Sequence, residues 1–215
     1  MTAQVHIAGV GSTTFGAHPT RSLQSLAVEA ARAAIADSQI PASNIGCVFV
    51  GNFVGGIMVG QELLGPIVAA DLGLANVAAV KIEAACASSS AAVRIAHDLI
   101  RAEAEKAILV VGVERLTGTP RAALTTAMTA AIDQSAEGDA GLTFPGFWGL
   151  VMARHAHLYG TTREQVAAVT VKNRRFGAAN PLAQFRKLVT AEEVMASPLV
   201  ADPIRRFARC PATDG

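Results

Sequence analysis

One cysteine of this sequence stands where a nucleophile could act. Cys86 lies in the stretch KIEAACASSS, between an apolar run that predicts a strand and a segment whose apolar spacing predicts a helix. The free N–H groups and the positive dipole end of a helix N-terminus favour a thiolate, which is the nucleophilic form of cysteine. The same N–H groups can stabilise the oxyanion that forms when a thiolate attacks a thioester. The alternative interpretation of Cys86 is a buried structural thiol.

The other reactive side chains add no second member of a catalytic set. His97 follows Cys86 by eleven residues on the same predicted helix, which places it roughly 16 Å away at about 1.5 Å per residue. The three cysteines, Cys47, Cys86 and Cys210, form neither a CxxC pair nor a zinc-binding pattern. An odd count is also a poor disulfide framework, so we expect three reduced thiols and no metal.

The composition describes a globular chain with one substantial core. Its 215 residues are 51% hydrophobic and 16% charged, which excludes a disordered chain. The 18 Lys and Arg residues balance 17 Asp and Glu residues, so we expect no nucleic-acid partner. The first residues carry no secretory signal, and we expect a cytoplasmic protein. The uncharged stretch 39–61 contains five glycines, which predicts a buried strand with loops and no membrane span.

Strand and helix patterns alternate over the first half of the chain. Short apolar runs predict strands, whereas apolar residues at helical spacing after Ser22 predict a helix with that serine as its N-cap. Alternation of this kind predicts a layered α/β core with mostly parallel strands. The predicted strands cover residues 5–11, 47–51, 78–82 and 107–112, and the predicted helices begin at Ser22, Gln61 and Cys86.

The pattern changes after Leu116. Residues 117–141 read as a loop or an irregular helix, and three helices follow, at 149–158, at 163–177 and from Thr190. No strand is predicted among them, so we expect a helical lid over the core, with a strand-like return near Phe207. The predicted division is 1–116 for the core, 117–206 for the lid and 207–215 for the return toward the core.

Several motifs resemble those of one enzyme family. Residues 84–90 (AACASSS) resemble the nucleophile motif of thiolases, and residues 111–115 (VGVER) resemble the Gly-x-Glu strand end that follows it. Further stretches resemble the lipid-transfer, or sterol carrier protein X-type, acetyl-CoA acetyltransferases. These are YGTTREQ (159–165), VKNR (171–174), NPLAQFR (180–186), ADP (201–203) and CPATDG (210–215). The matches cover essentially the whole chain in the family's order.

The resemblance implies a fold and a reaction. The fold is half of a thiolase-like core, which is a five-layer αβαβα sandwich when complete, with an inserted helical loop domain. The reaction is acyl transfer on CoA thioesters, as in acetyl-CoA acetyltransferases and 3-ketoacyl-CoA thiolases, through an acyl-thioester on Cys86. Coenzyme A is a substrate in this chemistry, and no metal or redox cofactor is implied.

The sequence departs from the family pattern in one respect. The family's Asn-x-x-Gly-Gly and Gly-His-Pro motifs and its second acid/base belong to a second half that this sequence does not contain. We therefore expect the chain alone to be a poor catalyst, whether it is truncated, a natural split subunit or a degenerate scaffold. The alternative functions are a non-catalytic or split thiolase-fold subunit working in a complex, and a ketoacyl synthase-like condensing enzyme.

The resemblance also suggests binding residues and partners. The lid would bind the tail of coenzyme A, with Arg174, Arg175, Arg186 and Lys187 as candidate phosphate partners. Solvated surface charges are the alternative interpretation of these four residues. Met152, on a predicted lid helix, is a further candidate for substrate contact. Expected partners are acyl-CoA or CoA, and either a second copy in a dimer or tetramer, a second thiolase half or an acyl-CoA-binding subunit.

Overall fold

The chain forms two compact units. The computed structural model describes residues 4–215, and the first unit comprises the residues through Gly118 together with Thr213–Gly215. The second unit comprises Thr119–Ala212. The second unit thus begins two residues later than the division drawn from the sequence, and the chain rejoins the first unit at Thr213 instead of near residue 207.

A three-stranded parallel sheet organises the first unit. Its strands are β1 (Cys47–Gly51), β2 (Ala78–Ile82) and β3 (Ile108–Gly112), and their order across the sheet is β2-β1-β3. Gly51 at the end of β1 lies beside Ile82 and Gly112. The predicted parallel arrangement is therefore confirmed, and all three strands end at the same edge of the sheet.

Helices cover both faces of this sheet. They are α1 (Leu23–Ser38), α3 (Leu64–Asp71) and α4 (Ser88–Arg101), while the short helix α2 (Gly55–Val59) lies between β1 and α3 along the chain. The predicted cap of α1 is confirmed, since Ser22 Oγ accepts the Ser25 N–H at 3.1 Å. Helices α1 and α3 bury their apolar residues against one face of the sheet, whereas α4 packs on the other face through Ala92 and Ala96. The first unit is therefore a helix–sheet–helix sandwich.

The strand predicted at residues 5–11 does not form. This segment runs along α1, and neither Gly9 nor Gly11 has room for a Cβ atom beside the α1 backbone. The Val10 N–H donates to Asp37 Oδ2 at 2.8 Å and makes no strand pairing. The prediction was wrong because two glycines permit a close approach to a helix that the apolar run alone does not reveal.

The second unit is mainly helical. Its helices are α5 (Arg121–Thr129), α6 (Phe144–Tyr159), α7 (Arg163–Ala179) and α8 (Ala191–Ala196), with a π-helical turn at Gln134–Gly138. Thr162 and Thr190 cap α7 and α8, each in a reciprocal capping box with the Gln or Glu three residues later. Among residues 4–215, no helix combines the length and the apolar character needed to cross a membrane.

Two short strands contradict the prediction that this segment lacks strands. An antiparallel pair, β4 (Leu199–Ala201) and β5 (Ile204–Arg205), follows α8. Phe207, near which a strand-like return was predicted, lies in a 3₁₀ turn at Arg206–Ala208. Strands of three and two residues are too short to show the alternation from which a strand is predicted.

Candidate active site

Cys86 lies on the turn that links β2 to α4. The residue is exposed, and it occupies a 3₁₀ turn at Ala85–Ala87. Helix α4 begins two residues later, at Ser88, so Cys86 precedes this helix and does not open it as predicted. The N-terminal end of α4, which is the positive end of its dipole, therefore follows the thiol directly along the chain.

The Cys86 turn is strained and firmly held. Ala85 has a φ of 48°, a left-handed conformation that residues with a Cβ adopt only at a cost. Its N–H donates to Glu83 Oε1, and the Ala87 N–H donates to the Ala84 carbonyl oxygen at 2.9 Å. Strain that several hydrogen bonds maintain is typical of functional sites.

The hydroxyl group of Ser88 bridges the turn. Ser88 is 4% exposed. Its Oγ accepts the Ala84 N–H at 2.9 Å and donates to the Ala85 carbonyl oxygen at 2.7 Å. One side chain therefore fixes both residues that precede Cys86.

The first turn of α4 rests directly on the ends of two strands. A Cβ atom on Gly51 or on Gly112 would overlap Ser89. Because both glycines are the last residues of their strands, α4 approaches the carboxyl edge of the sheet closely. Cys86 thus emerges from the edge at which the exits of all three strands meet.

The other two cysteines occupy different environments. Cys47 is the first residue of β1 and is buried. Burial and the nearby charge of Glu105 raise the pKa of the Cys47 thiol, although a backbone hydrogen bond with Val48 lowers it. Cys210 is exposed in the second unit. Of the two thiols in the first unit, Cys86 is therefore the one that a reagent can reach.

A buried carboxylate connects distant segments of the first unit. Asp214 is fully buried, and it accepts hydrogen bonds from the backbone N–H groups of His18, Leu116 and Thr117 at 2.8–2.9 Å. The Thr117 hydroxyl donates to it as well. Burial acts to raise the pKa of Asp214, but the Thr117 hydroxyl and these N–H groups outweigh it, and the pKa is lowered. The sequence motif contains this aspartate without revealing its partners.

The four basic residues predicted to bind phosphate lie in the second unit in three kinds of surroundings. The Arg174 guanidinium lies over the Phe185 ring, 4.3 Å from its centroid, and 5.7 Å from that of Phe207. Arg175 lies 5.4 Å from the centroid of Phe176. The remaining two, Arg186 and Lys187, are exposed. Aromatic stacking gives Arg174 a structural role, and phosphate binding by the four residues stays a prediction.

Met152 lines a cavity of about 350 Å³ within the second unit. Val166, Val194 and Met195 line it too, and two arginines that were not singled out from the sequence lie at its wall, Arg163 and Arg205. Arg205 Nη1 donates to the Ser197 carbonyl oxygen at 2.8 Å, whereas Arg163 lies 3.9 Å from Asp202. Arg163 begins a predicted helix and stands in the YGTTREQ stretch, whereas no sequence signal pointed to Arg205. Substrate contact by Met152 stays a prediction.

Three of the five histidines contact a neighbour close in sequence, and one of them is His18, whose Nε2 lies 2.6 Å from the Thr14 carbonyl oxygen. His97 contacts Asp98 at 2.9 Å, and His155 contacts the Thr161 hydroxyl at 2.9 Å. Within residues 4–215, no three His, Cys, Asp or Glu side chains come together in the way that metal ligands do.

Comparisons with known proteins agree with the geometry. The sequence profile of the thiolase N-terminal domain matches residues 5–209. An acetyl-CoA acetyltransferase of Methanothermobacter thermautotrophicus is 36% identical over 211 residues, which are 98% of this chain and 55% of that protein. Human sterol carrier protein 2 is 30% identical over 222 residues, covering 99% of this chain and 40% of that protein.

A solved structure described as Ltp2-ChsH2(DUF35) aldolase shares the fold, with a TM-score of 0.68 and 26% identity over 97% of this chain and 52% of that chain. The chain spans about half the length of the curated relatives it matches. The parallel sheet, the position of Cys86 and these matches lead to one conclusion: the chain belongs to the thiolase family.

Proposed function

We propose that this protein is a thiolase-type acyltransferase that takes an acyl group from a CoA thioester onto Cys86. The observation that carries the proposal is the exposed thiol on a strained, hydrogen-bonded turn immediately before a helix N-terminus. Similarity to acetyl-CoA acetyltransferases supports the substrate class.

The first half-reaction uses groups of this chain. The Cys86 Sγ attacks the thioester carbonyl carbon as a thiolate, which is the nucleophilic form of cysteine. The bond between the carbonyl carbon and the sulfur of coenzyme A then breaks. The proton that left Cys86 ends on the departing CoA thiol, and the acyl group remains on Cys86 as a thioester.

The second half-reaction passes the acyl group on. The carbanion of acetyl-CoA attacks the Cys86 thioester, a carbon–carbon bond forms, and Cys86 leaves as the thiolate. In the reverse direction a 3-ketoacyl-CoA is cleaved. The groups that remove the α-proton belong, by the resemblance, to the second half of a thiolase, so this chain supplies the nucleophile and its support.

The test is direct capture of an acyl group. The chain is incubated with acetyl-CoA and quenched in acid, and its peptides are examined by mass spectrometry. We expect one acetyl group on Cys86 of the wild type and of Cys210→Ala, and none on Cys86→Ala. Acetylation of Cys210 at the same rate, or an unmodified Cys86, contradicts the proposal.

A second candidate is a thiolase-fold subunit that works only within a complex. The similar Ltp2-ChsH2(DUF35) aldolase favours it, because two components are named in that assembly. In this case Cys86 of the isolated chain reacts with iodoacetamide but acquires no acetyl group from acetyl-CoA. The two experiments on one sample therefore separate the two candidates.

A further inference from the structure

A carboxyl group at the exit of β3 holds the exit of the central strand. Glu114 Oε1 accepts the backbone N–H groups of Phe53 and Val54, the latter at 3.2 Å. Both residues lie just after β1 and follow Asn52. A side chain from one edge strand thus binds the backbone that leaves its neighbour.

A buried amide completes this connection. Asn52 is 1% exposed, and its Nδ2 donates to the Val113 carbonyl oxygen at 2.9 Å. Its Oδ1 accepts the Gly55 N–H at 3.0 Å. Together, Asn52 and Glu114 bind three consecutive backbone N–H groups at the start of α2, so the loop after β1 is held at each of these residues.

This loop is connected to the turn that carries Cys86. The Asn52 N–H donates to the Ile82 carbonyl oxygen at 3.2 Å, and Ile82 ends β2 four residues before Cys86. Gly51, the residue before Asn52, leaves no space for a Cβ atom beside Ser89 on the first turn of α4. A displacement of the β1 exit therefore reaches both ends of the Cys86 turn.

The second carboxyl oxygen of Glu114 has no evident structural use. Oε2 is buried and has no hydrogen-bond partner among residues 4–215. Burial raises the pKa of Glu114. The Phe53 and Val54 N–H groups, the Lys81 charge and the Asn52 side chain each act to lower this pKa, but burial outweighs them. An apolar side chain at this position would avoid the cost of burying this group. The structural use of this carboxyl group is therefore the pair of hydrogen bonds that Oε1 accepts from the Phe53 and Val54 N–H groups.

We propose that Glu114 is a positioning residue for Cys86: its Oε1 fixes the Phe53–Val54 backbone, and through the β1 exit it holds the Cys86 turn against the start of α4. This inference rests on the proposed function, in which Cys86 is the nucleophile. It requires an acceptor oxygen at position 114 and does not require a charge.

The test compares variants of the full chain by the rate at which iodoacetamide alkylates Cys86, measured by peptide mass spectrometry. Cys210, exposed in the other unit, serves as the internal standard. We expect Glu114→Ala to slow Cys86 alkylation about fivefold, the size of effect that loss of a helix N-terminal interaction produces. Glu114→Gln keeps an acceptor oxygen and should stay within about twofold of the wild type.

Matched variants separate positioning from general damage. Glu62→Gln makes the same chemical change at an exposed carboxylate paired with Lys81, and it should leave Cys86 unchanged. Glu114→Leu repeats the test with the bulk of the side chain retained if Glu114→Ala does not fold. Wild-type alkylation of Cys86 in folded Glu114→Ala or Glu114→Leu overturns the inference. Equal slowing of Cys86 and Cys210 overturns it too, as does a Gln variant as slow as the Ala variant.

The alkylation experiment does not depend on acyl transfer. If acetyl-CoA leaves wild-type Cys86 unmodified, the proposed function fails, while the comparison of Glu114 variants still decides the positioning role.

Discussion

The carboxyl edge of the sheet in the first unit and the helical surface of the second unit use polar side chains in opposite ways. At the sheet edge, Asp214 and Asn52 are buried, and their hydrogen bonds join segments far apart in sequence. In the second unit, Arg186 and Lys187 are exposed, and Arg174 lies against aromatic rings. Buried polar groups with specific partners constrain geometry much more than exposed charges do. The first region therefore has the rigidity that covalent chemistry needs.

The largest expected difference is in acyl capture. Cys86→Ala should lower acetylation by acetyl-CoA at least about 10³-fold, since the nucleophile itself is removed. Cys210→Ala, the matched change at an exposed thiol of the second unit, should leave the rate unchanged. The measurement is the acetylated fraction against time by intact-protein mass spectrometry. Comparable losses from both variants would remove the distinction between the two regions.

Asp214 should dominate the stability of the first unit. Asp214→Asn places an N–H group among donors, and we expect a loss of about 3 kcal/mol in the free energy of unfolding. Unfolding of this unit is measured in urea by pulse alkylation, because the buried Cys47 thiol becomes reactive when the unit unfolds. Asp139→Asn, at an exposed position of the second unit, is the control and should change Cys47 protection little.

The same carboxylate predicts a pH dependence. The pKa of Asp214 is lower in the folded chain than its usual value near 4 in an unfolded one. Its contribution is therefore full above about pH 4 and is lost as the pH falls through the lowered pKa. Asp214→Asn should flatten this part of the stability profile, and an unchanged acid slope in the variant would contradict the assignment.

Ser88 and Ser90 allow a comparison within one helix turn. Ser88→Ala leaves the Ala84 N–H unpaired, and we expect Cys86 alkylation to slow about fivefold, as loss of about 1 kcal/mol from a hydrogen bond implies. Ser90 is exposed, and Ser90→Ala should react like the wild type. If both variants react alike, the bridging hydroxyl does not hold the Cys86 turn.

The smallest effect is expected at the surface of the second unit. Arg174→Ala should lower the stability of that unit by about 1 kcal/mol, because the guanidinium loses its aromatic neighbours. Arg186→Ala and Lys187→Ala should leave stability unchanged. Trp148 is the single tryptophan of the chain. Its fluorescence in urea measures the unfolding of this unit. A destabilisation by Arg186→Ala as large as that by Arg174→Ala would show that the two regions differ less than the structure indicates.

Sequence patterns were reliable where a local signal is strong. The continuous apolar run of β1 and the capped amphipathic pattern of α1 were both predicted correctly. The position of Cys86 between a strand and a helix was also predicted, although α4 starts at Ser88. In each case the residues that determine the structure lie within a few positions of one another.

The remaining features depend on partners far away in the chain. Glu114 contacts a backbone 61 residues earlier, and Asp214 contacts one 97 residues earlier. No local pattern encodes such pairs. The strand prediction for residues 5–11 was wrong for a related reason. A strand and an extended segment packed along a helix can both show a short apolar run, so the sequence does not distinguish them. The long-range hydrogen bonds of the candidate site therefore cannot be predicted from the sequence and are seen only in the folded structure.

The bond between Thr117 and Asp214 has a consequence for how this protein can be altered. The two residues are adjacent in space, with the Thr117 N–H 2.8 Å from Asp214 Oδ1, yet the whole second unit lies between them in sequence. The second unit is therefore an insertion whose two ends emerge at one point of the core. Because doubling the length of a flexible connection costs only about 0.6 kcal/mol, such an insertion can lengthen, shorten or be exchanged at modest cost.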